Sequence, residues 1–188
     1  MNPERYLNVH EELLKRCLKG DRKAQFEIYR LYFKAMYNTS LRITGNRTEA
    51  EDIMQEAFLK AFQNLDKYSM EVSFGAWLKK IVVNLSIDYL RRTRYESISM
   101  TEEMKDEWAG NEAEDADFTG QQVSRVLEKI RELPEGYRIV LSLYLLEGYD
   151  HDEIAGILNI APSTSRSQYL RAKKRLLQNL NKESNETT

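Results

Sequence analysis

Apolar residues recur at steps of three and four along nearly the whole chain, and only 8 glycines and 3 prolines interrupt the pattern in 188 residues. That rhythm is the period of an α-helix with one buried face, and so few breakers leave little room for strands and tight turns. The expected fold class is therefore all-α. Hydrophobic residues at 41% supply a core, and charged residues at 31% supply the solvated helix faces. A chain of this length forms one ordinary domain or two small ones.

Charge divides the chain. The formal net charge of −2 conceals three unlike blocks. Residues 1–95 carry 17 basic and 12 acidic side chains, net +5. Residues 96–120 carry Lys105 alone against nine acids: Glu96, Glu102, Glu103, Asp106, Glu107, Glu112, Glu114, Asp115 and Asp117. Weak periodicity and dense like charge identify that block as a spacer rather than a core element. Two small helical domains, 1–95 and 121–188, joined by an acidic linker at 96–120, are the expected organisation. Within the second domain, Ile154 to Lys182 holds Arg166, Arg171, Lys173, Lys174, Arg175 and Lys182 and no acid. A polyanion is the partner that such a segment suits.

Several function classes are disfavoured. Cys17 is the only cysteine, so neither an intrachain disulfide nor a cysteine metal cluster is available. Its position beside Leu14 and Leu18 makes it a small core thiol. His10 and His151 are the only histidines and stand far apart in the sequence. There is no HExxH pattern, no glycine-rich phosphate loop and no nucleophile elbow. No metal, no cofactor and no enzymatic activity are expected. No segment approaches the roughly 18 apolar residues of a membrane span. The first ten residues lack the basic-then-apolar order of a signal peptide. A cytoplasmic protein without membrane insertion is expected.

In the first half, residues 11–36 read as two helices broken at Gly20-Asp21. The stretch from Leu41 stops at Gly45-Asn46. Thr48, with Glu51 three residues on, has the pattern of a capping box. The helix that follows carries Ala50, Ile53, Met54, Ala57, Phe58, Ala61, Phe62 and Leu65 on one face, and Asp52, Gln55, Glu56 and Lys60 on the other. A loop, Asp66–Ser73, contains Tyr68 and Met70, and Ser73 is placed to cap a helix over Phe74–Arg92. That helix has a core stripe of Phe74, Leu78, Ile81 and Leu85. Trp77, Lys80, Asn84, Asp88 and Arg91 share a second face. Cations for phosphate and an aromatic for an unstacked base suit nucleic acid, while the plain alternative is a core tryptophan beside a solvated face.

In the second half, Val123 to Leu133 is a helix stopped by Pro134, and Tyr137 to Leu146 is a second, ending at Gly148. Asp150 and Glu153 form a capping-box pair ahead of Ile154, Ala155, Ile157 and Leu158. Asn159 tolerates the left-handed conformation of a tight turn, and Pro162 opens a longer helix over Ser163–Leu180. A short helix, a tight turn and a long basic helix make a helix-turn-helix. Its second helix would offer Ser163, Thr164, Ser165, Arg166, Ser167 and Gln168 to a major groove, where small hydroxyls permit close approach and Arg and Gln pair with base edges. The plain alternative is a bundle helix with a basic outer face.

Four stretches taken in order resemble the extracytoplasmic-function sigma factors, promoter-specificity subunits of bacterial RNA polymerase. LLKRCLKGDRKAQFEIYRLY with SLRITGNRTEAEDIMQEAFLKAF looks like the start of the family's domain two. FGAWLKKIVVNLSIDYLRR looks like its promoter-melting helix. LPEGYRIVLSLYLLEGYDHDEIAGILNIAPSTSRSQYLRAKKRL looks like its domain four. The resemblance implies that Asp52, Gln55 and Glu56 grip the clamp helices of the core polymerase's largest subunit. It places Tyr68 in the loop, and Trp77, Lys80 and Asn84 on the helix, where the family reads and opens the −10 element. It places Ser163, Thr164, Arg166, Ser167, Gln168, Leu170, Arg171 and Lys174 on the helix that reads the −35 element of double-stranded promoter DNA. Ser165 and Gln168 depart from the Val and Arg that family members commonly carry there. An anti-sigma factor is a further partner that the resemblance allows. The rival reading is a free-standing helix-turn-helix regulator, which would not need the Asp52–Glu56 face and for which no dimerisation element is evident.

Overall fold

In a computed structural model of the chain, residues 10–99 and 118–186 are described. The chain separates into two compact units, Met1–Met100 and Thr101–Thr188. Among the described residues every regular element is helical.

The first unit holds α1 (Glu11–Leu18), α2 (Arg22–Thr44), α3 (Arg47–Gln63), a short 3-10 turn at Leu65–Lys67, and α4 (Phe74–Ser99). Asp21 starts α2: its carboxylate accepts from the backbone N–H groups of Lys23 at 2.9 Å and Ala24 at 3.3 Å. Arg16, from α1, donates its Nε to the other carboxylate oxygen at 2.9 Å. One side chain thus caps a helix and ties it to its neighbour. The helix then runs unbroken to Thr44, so the two stretches separated in the sequence analysis, up to Met36 and from Leu41, are one element. It ends where Gly45 turns left-handed at φ 74°, a conformation that costs glycine nothing.

The expected cap at Thr48 is corrected by the structure. Asn46 leaves Gly45 in an extended conformation and its side chain accepts from the backbone N–H of Glu49 at 3.2 Å. Thr48 therefore lies inside the first turn. The cap at Ser73 is present, its hydroxyl accepting from Ala76 N–H at 3.2 Å. The expected end of that helix at Arg92 is too short, because α4 continues to Ser99.

Ala24, Ile28, Met36, Ile53, Met54, Ala57, Phe58, Phe74, Leu78 and Val82 form the centre of the first core. Cys17 is buried within it, and burial pushes its thiol pKa up. Where α2 crosses α4, the Ser40 and Ser86 hydroxyls meet at 3.0 Å with both side chains fully buried. Small polar residues there let two backbones approach without an orphaned hydroxyl.

At Gly75, α4 lies close against a side chain of α2. A Cβ at this position would stand 2.8 Å from Tyr32 Cε1. The Tyr32 ring is itself held by Phe74, at 5.4 Å between centroids, and by His10, at 5.6 Å. Gly75→Ala should therefore destabilise the first unit by about 1 kcal/mol, the low end of overpacking costs because a ring edge can shift slightly. Thermal or urea unfolding measures this, and an unchanged midpoint would mean the ring moves freely.

A second prediction concerns pH. The Arg16 guanidinium, followed by the Ala24 and Lys23 amides, holds the Asp21 carboxyl below its usual range. An acid depressed in the folded state contributes stability that is complete above the unfolded aspartate value of about 3.9 and is lost as pH falls through the lower folded value. Asn caps helices as well as Asp does, so Asp21→Asn removes the charge and keeps the cap. Wild type should unfold at a higher temperature than Asp21→Asn near neutral pH. That difference should shrink once the pH drops below the ordinary aspartate range, and a gap independent of pH would refute the assignment.

The second unit holds α5 (Phe118–Arg131), α6 (Glu135–Leu145), α7 (His151–Leu158) and α8 (Pro162–Glu186). Ile130, Leu133, Leu141, Ala172 and Leu176 are buried together, with Leu127, Tyr137, Tyr169 and Leu180 packed around them. Helix α8 packs against each of the other three. The acidic stretch expected as a linker over 96–120 begins within α4 and ends within α5. Its remaining residues, 100–117, lie outside the described residues. Among the described residues no helix is long and apolar enough to cross a membrane.

Candidate nucleic-acid interface

Helices α7 and α8 are joined by a turn whose geometry follows from local sequence. The Asp150 carboxylate accepts from the N–H groups of Asp152 and Glu153, both at 2.8 Å. The Glu153 carboxylate accepts in return from Asp150 N–H at 2.8 Å, completing a capping box. Asn159 takes the left-handed conformation at φ 55°, and Ile160 N–H reaches back to the Ala155 carbonyl at 3.1 Å. Pro162 occupies the first position of α8, where its missing N–H would have had no helical partner. The Ala161 carbonyl then accepts from Thr164 and Ser165.

This entry fixes which side of α8 faces outward. Ser163, Arg166, Ser167, Leu170, Arg171 and Lys174 are exposed, and Thr164 and Gln168 are half-buried. Ala172 and Leu176 face the core. Leu170 is 64% exposed in the middle of the polar face, an apolar group suited to a thymine methyl. The Ser167 hydroxyl is directed back to the carbonyls of Ser163, at 2.9 Å, and Thr164, at 3.0 Å, which leaves its oxygen as an acceptor on the exposed side of the helix. Ser165 is different. Its side chain is fully buried and hydrogen-bonded to His151 Nδ1 at 2.9 Å. The expectation that its hydroxyl lines a groove is corrected: position 165 faces inward, toward α7.

In the first unit, Asp52, Gln55 and Glu56 are all exposed on α3. Gln55 Nε2 donates to Glu51 at 3.4 Å, and Glu56 pairs with Lys60 at 2.8 Å. Beside them stands Leu59, 62% exposed, which the sequence analysis passed over. The signal was present: Leu59 follows Asp52 by seven positions and Glu56 by three, which puts an apolar residue on the polar side of the helix.

The loop before α4 is closed by the Tyr68 hydroxyl, which donates to the Val72 carbonyl. Met70 takes a left-handed φ of 60° inside that loop. The Tyr68 ring packs on Phe74 at 5.8 Å and Trp77 at 5.2 Å, and the residue is only 8% exposed. Burial also raises its phenol pKa. Tyr68 is thus a loop anchor, with little of its surface open in the free chain. Trp77 packs against the core while remaining part-exposed. Lys80, Asn84, Asp88 and Arg91 continue its face along α4, all exposed, with Arg91 and Asp88 paired at 3.3 Å.

Comparison with known proteins matches both units. The Sigma-70 region 2 family matches residues 28–95, and the Sigma-70, region 4 family matches residues 124–176. The ECF RNA polymerase sigma factor SigW of Bacillus subtilis is 32% identical over 178 residues, covering 89% of this chain and 94% of that protein. The chain belongs to the extracytoplasmic-function sigma factors. The ECF RNA polymerase sigma-E factor of Escherichia coli K12 is 30% identical over 171 residues, spanning 86% of this chain and 88% of its own length. Among solved structures, the sigma factor RpoE of Bartonella quintana, crystallised with the anti-sigma factor NepR, superposes with a TM-score of 0.57 at 22% identity. It covers 82% of this chain and 95% of that one, a likeness of fold. The factor therefore carries the two sigma regions in the expected order, and it directs promoter-specific transcription initiation with RNA polymerase.

Proposed function

We propose that this sigma factor docks on core polymerase through the exposed face of α3 and reads two promoter elements with separate helices. Asp52, Gln55 and Glu56 supply polar contacts to the clamp helices of the largest subunit, and Leu59 supplies an apolar anchor beside them. The loop held by Tyr68, with Trp77, Lys80 and Asn84, engages the −10 element as its strands part. Ser163, Thr164, Arg166, Ser167, Gln168, Leu170, Arg171 and Lys174 engage the −35 duplex. Residues 1–95 act as region 2, residues 121–188 as region 4, and the acidic stretch between them as the linker. The factor works in the cytoplasm, by binding and without catalysing a reaction itself. An anti-sigma factor is its regulatory partner, in keeping with the complex in which its structural relative was crystallised.

The observation that carries this reading is the outer face of α8. Arg166, Arg171 and Lys174 are exposed along it, and no acid occurs from Ile154 to Lys182 to neutralise them. A basic face without acids favours a polyanion, and its position after a helix-turn-helix turn makes that polyanion a DNA major groove. Run-off transcription with core polymerase over a randomised promoter library tests the whole proposal. Two conserved boxes at a fixed spacing from the start site are expected. Binding to a palindrome without core polymerase, and no stimulated transcript with it, would instead identify a free-standing regulator.

A further inference from the structure

His151 is the first residue of α7, and three helices meet around its ring. Tyr144, near the end of α6, stacks on it with centroids 4.6 Å apart and planes 17° from parallel. Tyr169, on α8, meets it edge-on at 5.6 Å and leans on Tyr144 at 4.6 Å. Its Nδ1 is 2.9 Å from the hydroxyl of Ser165, also on α8. Ser165 and Tyr169 are one helical turn apart, so the imidazole is fixed against two successive turns of α8.

We propose that His151 is a positioning residue for −35 recognition: by holding Ser165 it sets the roll of α8 about its own axis and so the angle at which Arg166 meets the groove. The inference rests on the reading of α8 as the −35 reader. Its physical basis is direction. An apolar side chain at position 165 would fill the space but could slide, because dispersion contacts are nondirectional. A hydrogen bond between a ring nitrogen and a fully buried hydroxyl has one distance and one narrow range of angles. Rolling α8 away from His151 would leave the buried Ser165 hydroxyl without this partner, which is costly. Arg166 is the next residue, and consecutive helix positions differ by about 100°. A small roll at Ser165 is therefore carried directly to the arginine. His151 need not touch DNA to act in this way.

The test uses the full-length factor assembled with core polymerase, measuring half-saturation on its preferred promoter and selection from a library randomised in the −35 element. His151→Phe keeps the stack on Tyr144 and removes the hydrogen bond. His151→Asn keeps a polar atom where Nδ1 stands, whereas His151→Gln places its polar atoms one bond further out. His151→Phe and His151→Gln should weaken promoter binding by about fivefold, the worth of one ordinary hydrogen bond, and blur selection at the base read by Arg166. His151→Asn should restore both. Thermal unfolding of each variant is measured alongside, because a purely structural histidine predicts losses that follow the folded fraction and leave base selection intact. That result, or equal behaviour of the Asn and Gln variants, overturns the proposal. Arg166→Ala separates the two levels. If it changes −35 selection while the His151 variants do not, only the positioning role fails. If it too changes nothing, the −35 reading of α8 fails and the positioning role with it.

Discussion

Reversing two charges on α3, with Asp52→Lys and Glu56→Lys together, should abolish stable association with core polymerase while leaving the factor folded. Both carboxylates are exposed in the free chain. The Glu56 pair with Lys60 leaves the two side chains 47% and 48% exposed, and surface pairs of that kind contribute at most about 1 kcal/mol. Folding should therefore hardly notice the change. Docking is different, because a charge that becomes buried against a partner and is then lost costs about 2–5 kcal/mol, and reversal adds repulsion. Leu59→Ala gives an independent check. A leucine 62% exposed does little for the fold, so its removal should leave the unfolding midpoint in place while weakening polymerase binding. Pull-down of core polymerase and run-off transcription read the docking, and circular dichroism melts read the fold. Normal recovery of polymerase by the double variant would remove α3 from the interface.

Sequence legibility differed by the range of the interaction involved. The capping box at Asp150, the left-handed Asn159 and the opening at Pro162 were readable because each is decided within a few residues. The Asn46 cap was missed because Asn46 and Thr48 are both capping types, and the Thr48–Glu51 spacing imitates a capping box. What separates them is the extended conformation of the chain leaving Gly45. Helix α4 outran its expected end because the sequence after Arg92 loses apolar rhythm yet, up to Ser99, contains no glycine or proline to stop a helix. The faces of Asp52, Trp77 and Arg166 followed from periodicity. The burial of Tyr68 and Ser165 did not, since both types are at home on either side of a helix or loop. Their places depend on how the chain folds around them: Tyr68 bonds the Val72 carbonyl within its own loop, and Ser165 bonds His151, fourteen residues away on another helix. Leu59 was overlooked for the opposite reason: a leucine suggests core, and only its phase against its neighbours assigns it to the outer face.

On α8, Arg166→Ala should cost about 1–3 kcal/mol of promoter binding and relax selection at a single −35 position, as expected for a side chain that reads a base edge. Arg166 and Arg171 stand five positions apart, which separates them by about 140° around the helix. They cannot read the same base from the same line. They can flank one step of the duplex from adjacent sides, with the exposed Leu170 between them toward a thymine methyl. Loss of Arg171 should thus relax a different position from loss of Arg166. Lys173 and Lys174 are the contrast, both exposed further along the helix, where side chains meet phosphate rather than bases. Neutralising either should weaken every promoter alike and lower the dependence of log K on log salt by about 0.9 per lost contact. Competitive selection from a randomised −35 library at several salt concentrations distinguishes these patterns in one experiment. An Arg166→Ala factor with unchanged −35 selection and unchanged promoter strength would show that another face of α8 enters the groove. The outward line through Ser163, Ser167, Leu170 and Lys174 would then have to be rotated away from DNA, against the exposure those residues have.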